Sequence, residues 1–105
     1  MSSRSKTLTV STLTMLLKEE LGSVFGNVVV EGELSNFTAH RSGHWYFSVK
    51  DEQSVLNCVM FRGDNRHVLD QPVTGDMLQL TGGIDVYVPQ GRYNLLVRKT
   101  FTELV

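Results

Sequence analysis

A chain of 105 residues is long enough for a single domain that buries roughly two thirds of the surface its unfolded form exposes. Hydrophobic residues make up 41% of the chain and charged residues 20%, and no apolar run approaches the ~20 residues of a membrane span, which argues against a membrane protein and favours the cytoplasm. The formal net charge of -1 excludes a broad basic surface, so any site for a polyanion must be local.

The first predicted element is an amphipathic helix that follows a flexible tail over residues 1–8. Thr9 or Ser11 can cap this helix at its N-terminus. Apolar residues recur behind the cap at three- and four-residue spacing, at Val10, Leu13, Leu16, Leu17 and Leu21. Gly22 is the expected end, because glycine readily adopts the left-handed conformation that closes a helix. The pattern predicts a helix that docks on an apolar surface.

Three strands are predicted after the helix. Val28 begins a long first strand, in which Gly32 permits a bend or a bulge. A polar loop, a second strand, a tight turn and a third strand follow, over residues 37–42, 43–50, 51–54 and 55–61 respectively. The single cysteine, Cys58, lies in the apolar third strand, so we expect a packed thiol and no internal disulfide.

A crossover connection and a final hairpin complete the predicted elements. After the third strand the pattern breaks, with at most a short helical turn over residues 64–69. A fourth strand over 76–88 and a fifth over 92–102 flank a tight turn at 89–91. Five strands with bend-forming glycines and a crossover between the third and the fourth predict an all-β fold, the five-stranded OB-fold barrel, preceded by the N-terminal helix.

Alternation along the second strand separates a core face from a free face. The core face carries Trp45, Phe47 and Val49. The free face carries a ring, a hydroxyl and a cation, on Tyr46, Ser48 and Lys50. Such a surface suits unpaired nucleotides, because every base can stack on a ring and every phosphate can meet a cation.

Stacking on Tyr46 and Phe61 is the expected centre of this site, with phosphate contacts from the cations beside them. The alternative is a structural role, in which each ring covers an end of the barrel or packs against the leading helix. The candidate nucleic-acid-binding residues are Phe37, His40, Arg41, Tyr46, Ser48, Lys50, Asn57, Phe61, Arg62, Arg66, Tyr87 and Arg92.

Catalytic and metal sites are not expected in this chain. His40 and His44 are four residues apart in a polar loop, and a metal would need a third ligand such as Cys58 or Asp51. Asp51 and Glu52 are adjacent, which favours turn formation over a paired-carboxylate role. No nucleophile with a neighbouring base is visible. The sequence therefore predicts a binding domain that needs no cofactor.

Three blocks of the sequence resemble the N-terminal domain of the large subunit of exodeoxyribonuclease VII. The blocks are LTVSTLTMLLKE, VVVEGELSNFTAHRSGHWYFSVKDEQSVLNCVMFRG and DVYVPQGRYNLLV, which together span Leu8 to about Val97. The resemblance implies an OB-fold that captures single-stranded DNA for degradation to oligonucleotides. It also implies a catalytic domain in the same parent protein and a small helical partner subunit. One departure is Gln90-Gly91 followed by Arg92, where relatives commonly carry arginine then glycine, so this cation is expected to point differently.

Two other classes of function remain open at this stage. An RNA-reading OB-fold would have similar second and third strands, and a preference for RNA over DNA would distinguish it. A protein-docking barrel would use its exposed aromatic residues to meet another domain, or a second copy of the chain in a homodimer.

Overall fold

The structure is a computed structural model that describes residues 7–103. In chain order its helices and strands are α1 (Val10–Val24), β1 (Val28–Ala39), β2 (Trp45–Lys50), β3 (Val55–Met60), α2 (Arg62–Asn65), β4 (Met77–Tyr87) and β5 (Arg92–Thr102). A 3-10 turn over Val88–Gln90 joins β4 to β5. The predicted tail over residues 1–8 lies outside the described residues, except for Thr7 and Leu8.

The strands close into a barrel in the order β1-β2-β3-β5-β4. β3 and β5 run parallel, and all other neighbours run antiparallel. The parallel pair follows from the crossover between β3 and β4, because the final hairpin then brings β5 back beside β3. The predicted all-β class, with a five-stranded OB-fold barrel, a leading helix and a short helix between the third and fourth strands, is confirmed.

β1 is long enough to pair on both sides and so to close the barrel. Residues 28–33 pair with β4 and residues 33–39 pair with β2. The register with β2 shifts between Leu34 and Asn36, so the bulge lies there, whereas the sequence predicted that Gly32 permits a bend or a bulge. Gly32 instead lets β2 approach closely, since a Cβ there would lie 3.0 Å from the Cβ of Val49.

The barrel interior is an apolar core that fixes which face of each strand remains free. The buried core consists of Leu34, Phe47, Val49, Cys58, Met60, Leu78, Leu80, Leu95 and Val97. Trp45 packs against this core from the start of β2, as expected of the core face. The thiol of Cys58 is buried as predicted, and burial raises its pKa to about 12.

The C-terminal half of α1 lies against β4. Lys18 forms an ion pair with Asp85, with 2.7 Å between Nζ and Oδ1. The amide of Ile84 donates to the carbonyl of Phe25 at 2.9 Å, which anchors the C-terminal end of the helix. The leucines Leu13, Leu16 and Leu17 remain about half exposed. The predicted docking therefore involves one stripe of the helix and leaves another apolar stripe uncovered.

The predicted end of the helix at Gly22 is wrong. α1 continues to Val24, and the amide of Phe25 still donates to the carbonyl of Leu21 at 2.8 Å. Gly26 is the residue that the turn requires, because a Cβ there would lie 2.3 Å from the carbonyl oxygen of Gly22. Thr9 is the N-cap, as predicted, and its hydroxyl accepts from the amide of Thr12 at 3.1 Å.

Two connections differ from those that the sequence predicts. β1 extends through Ala39, which pairs with Trp45, so the predicted loop over residues 37–42 is reduced to residues 40–44. The strand continues because Phe37 pairs with Phe47 and packs against the core. The helical turn expected over residues 64–69 begins earlier, at Arg62–Asn65.

Candidate nucleic-acid interface

The outer face of β1, β2 and β3 is the surface on which the predicted site was placed. Register defines it as three cross-strand rows, namely Thr38–Tyr46–Val59, Asn36–Ser48–Asn57 and Glu33–Lys50–Val55. Residues of the intervening rows point into the barrel, since side chains alternate across a strand. The loop over residues 40–44 lies at one end of this outer face, and the turn over 51–54 lies at the other.

Tyr46 and Phe61 lie on the same outer face, and both are substantially exposed. Their side chains are 43% and 44% accessible, respectively. Tyr46 pairs with Val59, and Phe61 is two residues further along the extended backbone, so the two rings are diagonal neighbours. The structure thus brings together the two residues from which stacking was expected.

The rings of two histidines contact the rings of Tyr46 and Phe61. We call the group of four residues, His40, His44, Tyr46 and Phe61, the aromatic end. The ring of His40 meets that of Tyr46 edge-on, with centroids 6.0 Å apart. The ring of His44 meets that of Phe61 edge-on at 5.1 Å. In an edge-to-face pair one face of one ring receives the edge of the other, so the contact itself leaves at least one face of each ring open to a base.

The loop over residues 40–44 has a fixed conformation. The amide of His40 donates to the carbonyl of His44 at 3.0 Å, and that of Gly43 donates to the carbonyl of His40 at 2.9 Å. Gly43 has a φ of 92°, which favours glycine. The buried side chain of Asn65 donates to the carbonyls of Gly43 at 2.8 Å and Met60 at 3.1 Å. These bonds tie the loop to the end of β3.

Cations near the aromatic end are free to meet phosphates. Arg41 follows His40 in the loop, Arg62 follows Phe61, and Arg66 comes directly after α2; all three are exposed. Within residues 7–103 the single ion pair joins Lys18 to a carboxylate on β4, so none of these arginines is neutralised by a salt bridge. The Nε of Arg66 lies 3.5 Å from the Nε2 of His67.

Lys50 has a different electrostatic environment from the arginines. In the strand register, Lys50 lies opposite Glu33 of β1. It also lines a surface depression together with three further carboxylates, those of Glu31, Asp51 and Glu52. A phosphate near Lys50 would meet this negative charge at short range. The outer face is therefore cationic at the aromatic end and acidic at the other, which disfavours the predicted phosphate contact of Lys50.

Ser48 and Asn57 form a polar row in the middle of the outer face. Ser48 is only 6% exposed, and its hydroxyl lies 3.3 Å from the Oδ1 of Asn36 and 3.2 Å from the Oδ1 of Asn57. The hydroxyl is thus occupied within the protein and not available to a ligand. Ser48 orients the two exposed amides, and Asn36 is a residue of this face that the sequence did not predict.

Phe37 lies on the inner side of β1, away from the predicted stacking surface. Its ring packs edge-on against Trp45 at 5.1 Å and stacks on Phe47 at 5.9 Å between centroids. The bulge between Leu34 and Asn36 is the reason, because one extra residue exchanges the inner and outer positions of everything that follows. The same shift moves Asn36 outward.

Tyr87 and Arg92 are exposed but lie far from the aromatic end. They pair with each other across the β4–β5 hairpin. Because β5 runs parallel to β3 with Leu95 beside Cys58, Arg92 lies level with Val55, at the acidic end of the outer face. The structure therefore separates these two candidates from Tyr46 and Phe61.

Two further kinds of feature, a metal site and a membrane-spanning helix, are absent from residues 7–103. Among the described residues, no three His, Cys, Asp or Glu side chains group closely enough to hold a metal ion. No helix within residues 7–103 has both the length and the apolarity to cross a bilayer.

A closed five-stranded barrel with exposed rings and free cations at one end of its β2–β3 face has the architecture of an oligonucleotide-binding domain. Residues 8–100 match the family model described as the OB-fold nucleic acid binding domain. The chain belongs to that family.

Curated relatives and solved structures agree with this assignment. The chain is 45% identical over 89 residues to the exodeoxyribonuclease 7 large subunit of Campylobacter jejuni subsp. doylei, and 44% identical to those of Campylobacter lari and of a Shewanella species. The match covers 85% of this chain but spans only 23%, 23% and 20% of those relatives' lengths.

Two solved structures share the fold at low sequence identity. A replication protein A heterotrimer bound to ssDNA has a TM-score of 0.61 at 11% identity, over 76% of this chain and 59% of that one. The Stn1–Ten1 complex of S. pombe has a TM-score of 0.60 at 15% identity, over 76% and 60%. At these identities the likeness concerns the fold alone.

Proposed function

We propose that this chain binds single-stranded DNA at the aromatic end of its outer face. The observation that carries the proposal is the pair of half-exposed rings, Tyr46 and Phe61, which are diagonal neighbours on one face, with Arg62 next to the second ring. Rings bind the flat faces of unpaired bases, and the arginine binds the phosphate between them. In a duplex the bases are stacked on one another and cannot reach the rings.

The electrostatic asymmetry of the face makes this a short site. Arg41 and Arg62 adjoin the rings, whereas Lys50 lies among carboxylates at the opposite end. A strand bound at the aromatic end would be repelled if it continued straight along β2 toward Lys50. We therefore expect a few nucleotides to be bound, and the strand to leave the face before it reaches the turn over residues 51–54.

The relatives support a role for this binding in a nuclease. They are named as large subunits of an exodeoxyribonuclease, and this chain spans about a fifth to a quarter of their length. On our proposal the domain captures unpaired DNA in the cytoplasm. It presents the strand to a catalytic domain of a longer parent protein, which works with a small helical subunit to degrade the DNA to oligonucleotides.

Titration by fluorescence anisotropy tests the proposed binding. A labelled poly-deoxypyrimidine strand is titrated at low salt with the 105-residue chain, and compared with the same sequence as a duplex and as RNA. We expect binding of the single strand, little binding of the duplex, and no change when EDTA is added, because no metal or cofactor is assigned to the site. Equal or tighter duplex binding would contradict stacking, and a clear preference for RNA would favour an RNA-reading domain.

Protein docking is the second candidate function, and α1 is the surface that favours it. Leu13, Leu16 and Leu17 are each about half exposed on this helix, although leucines of a monomeric domain usually pack against its core. Light scattering over a concentration series, with and without oligonucleotide, tests it. A dimer that DNA leaves intact would support docking through α1, and a monomer at all concentrations would contradict self-association.

A further inference from the structure

His44 contacts both residues that the proposed function uses most. Its Nδ1 accepts a hydrogen bond from the backbone amide of Arg62 at 3.1 Å. Its ring also meets the ring of Phe61 edge-on, with 5.1 Å between centroids and 77° between planes. A single side chain on the 40–44 loop therefore touches the stacking ring and the residue that carries the adjacent cation.

The hydrogen bond satisfies an amide in the first turn of α2, a helix without a side-chain N-cap. Phe61 occupies the N-cap position, where Ser, Thr, Asp or Asn usually supplies an acceptor, and its side chain makes no capping bond. The amide of Arg62 has no partner within the helix, as is normal for the first turn. His44 supplies the acceptor from a different element. The first turn thus has a side-chain acceptor from the loop, although an exposed aromatic residue occupies the N-cap position.

The surroundings of His44 hold it in this position. Asn65 is buried and donates to the carbonyl of Gly43, the residue before His44, at 2.8 Å. A Cβ at Gly43 would lie 3.1 Å from the Cβ of Arg62, so loop and helix are in close contact. The amide of His40 closes the loop by donating to the carbonyl of His44.

We propose that His44 is a positioning residue for nucleotide binding, which acts by fixing the Phe61–Arg62 segment before the ligand arrives. This inference rests on the proposed function. With Nδ1 as the acceptor, the ring carries its proton on Nε2. A segment held in its binding conformation loses less conformational entropy when DNA binds, and this is how a residue that need not touch DNA strengthens binding.

Substitutions at position 44 separate the acceptor from the rest of the side chain. In His44→Asn, Oδ1 takes the place of Nδ1 at the same number of bonds from the backbone, whereas His44→Ala has no acceptor. We expect His44→Ala to weaken binding of the oligonucleotide about 3- to 10-fold, the effect of one net hydrogen bond, and His44→Asn to recover at least half of that loss on a logarithmic scale. Gln79→Ala, at an exposed position of β4 outside the aromatic end, is the control and should bind like the parent.

A double-mutant cycle shows whether His44 acts through the segment. In a Phe61→Ala/Arg62→Ala background, His44→Ala should cause no further loss, because the groups it positions are gone. Urea unfolding of each variant accompanies the titrations, so that a loss of folded protein is not read as a loss of affinity. Amide hydrogen exchange at Arg62 should be faster in His44→Ala than in His44→Asn, without any DNA.

The outcomes distinguish this inference from the proposed function. If Phe61→Ala/Arg62→Ala binds like the parent, the proposed site is wrong, and the positioning role of His44 is overturned as well. If that double variant is weakened but His44→Ala binds like the parent, only the positioning role is overturned. Equal losses in His44→Ala and His44→Asn, or an undiminished loss in the double-variant background, would also overturn it.

Discussion

Phe61 belongs to two elements at once, because it continues the extended backbone of β3 and is the N-cap of α2. A residue in such a position is held by the backbone on both sides, while its side chain is 44% exposed. A fixed ring binds a base with a smaller entropy cost than a mobile one. At the scale of single residues, we therefore expect Phe61 to contribute more to binding than any other side chain of the outer face.

Replacement of Phe61 by alanine tests this expectation directly. We expect binding of a single-stranded oligonucleotide to weaken by on the order of 1–3 kcal/mol, the usual contribution of one base–aromatic stack. Phe101→Ala is the matched control, since Phe101 is similarly exposed, at 59%, but lies on β5 near its C-terminal end. Anisotropy titrations of both variants at one salt concentration measure the difference, and equal losses would argue against a site at the aromatic end.

Cys58 gives a prediction about stability at high pH. Burial raises the pKa of the folded thiol from 9.0 to about 12, so between these values the unfolded chain loses a proton that the folded chain keeps. The contribution of the neutral thiol to stability is therefore complete below about pH 9 and falls above it, by up to about 1.4 kcal/mol per pH unit. Urea unfolding at about pH 8 and pH 10.5 should show a steeper loss for the parent than for Cys58→Ala. Parallel pH profiles would be inconsistent with a buried thiol.

At the scale of elements, the sequence predicted the types of the strands and helices better than their boundaries and faces. Alternation and turn residues identified each strand, because burial of one face imposes a period of two. The bulge between Leu34 and Asn36 left no such signal, since no glycine or proline stands there. Its position depends on pairing with β2, a contact between residues far apart in the chain. For this reason Phe37 was a candidate binding residue although it lies on the inner side of β1, and Asn36 was not predicted as a residue of the outer face.

The aromatic end was predictable only in part for the same physical reason. Tyr46 and Phe61 follow from alternation within single strands, and the structure places them as expected. His44 acts across elements, through a bond to an amide 18 residues away. No local pattern shows that Phe61 would be an N-cap without a polar side chain, so the need for an acceptor from the loop was not visible.

The glycines at the end of α1 offer a matched pair of substitutions. A Cβ at Gly22 meets nothing within 4 Å, whereas one at Gly26 would lie 2.3 Å from the carbonyl oxygen of Gly22. We expect Gly22→Ala to raise the free energy of unfolding by roughly 0.5–1 kcal/mol, as alanine does inside a helix, and Gly26→Ala to lower it. Urea unfolding measures both. A destabilised Gly22→Ala variant would contradict the observed extension of the helix to Val24.

At the scale of the whole molecule, the charge is nearly balanced but unevenly distributed. The formal net charge is -1, yet Arg41, Arg62 and Arg66 lie near one end of the outer face and four carboxylates surround Lys50 at the other. Long-range attraction to DNA is therefore weak, and binding depends on a few local contacts together with stacking.

The salt dependence of binding follows from this distribution. If about three phosphates meet cations at the aromatic end, the logarithm of affinity should fall with the logarithm of salt concentration at a slope of roughly -2, using ~0.7 for each single-strand phosphate. Titrations over a range of salt concentrations give the slope. A much steeper slope would indicate an extended electrostatic interface, which the acidic end of the face does not allow.

Unpaired nucleotides should bind at the aromatic end, and backbone amide shifts measured by NMR during titration with a short deoxypyrimidine strand would show where they bind. We expect the largest shift changes in residues 40–46 and 59–62, with small changes in α1 and at the β2–β3 turn around Lys50. Changes concentrated in α1 or around Lys50, with the amides of Tyr46 and Phe61 unaffected, would contradict the claim.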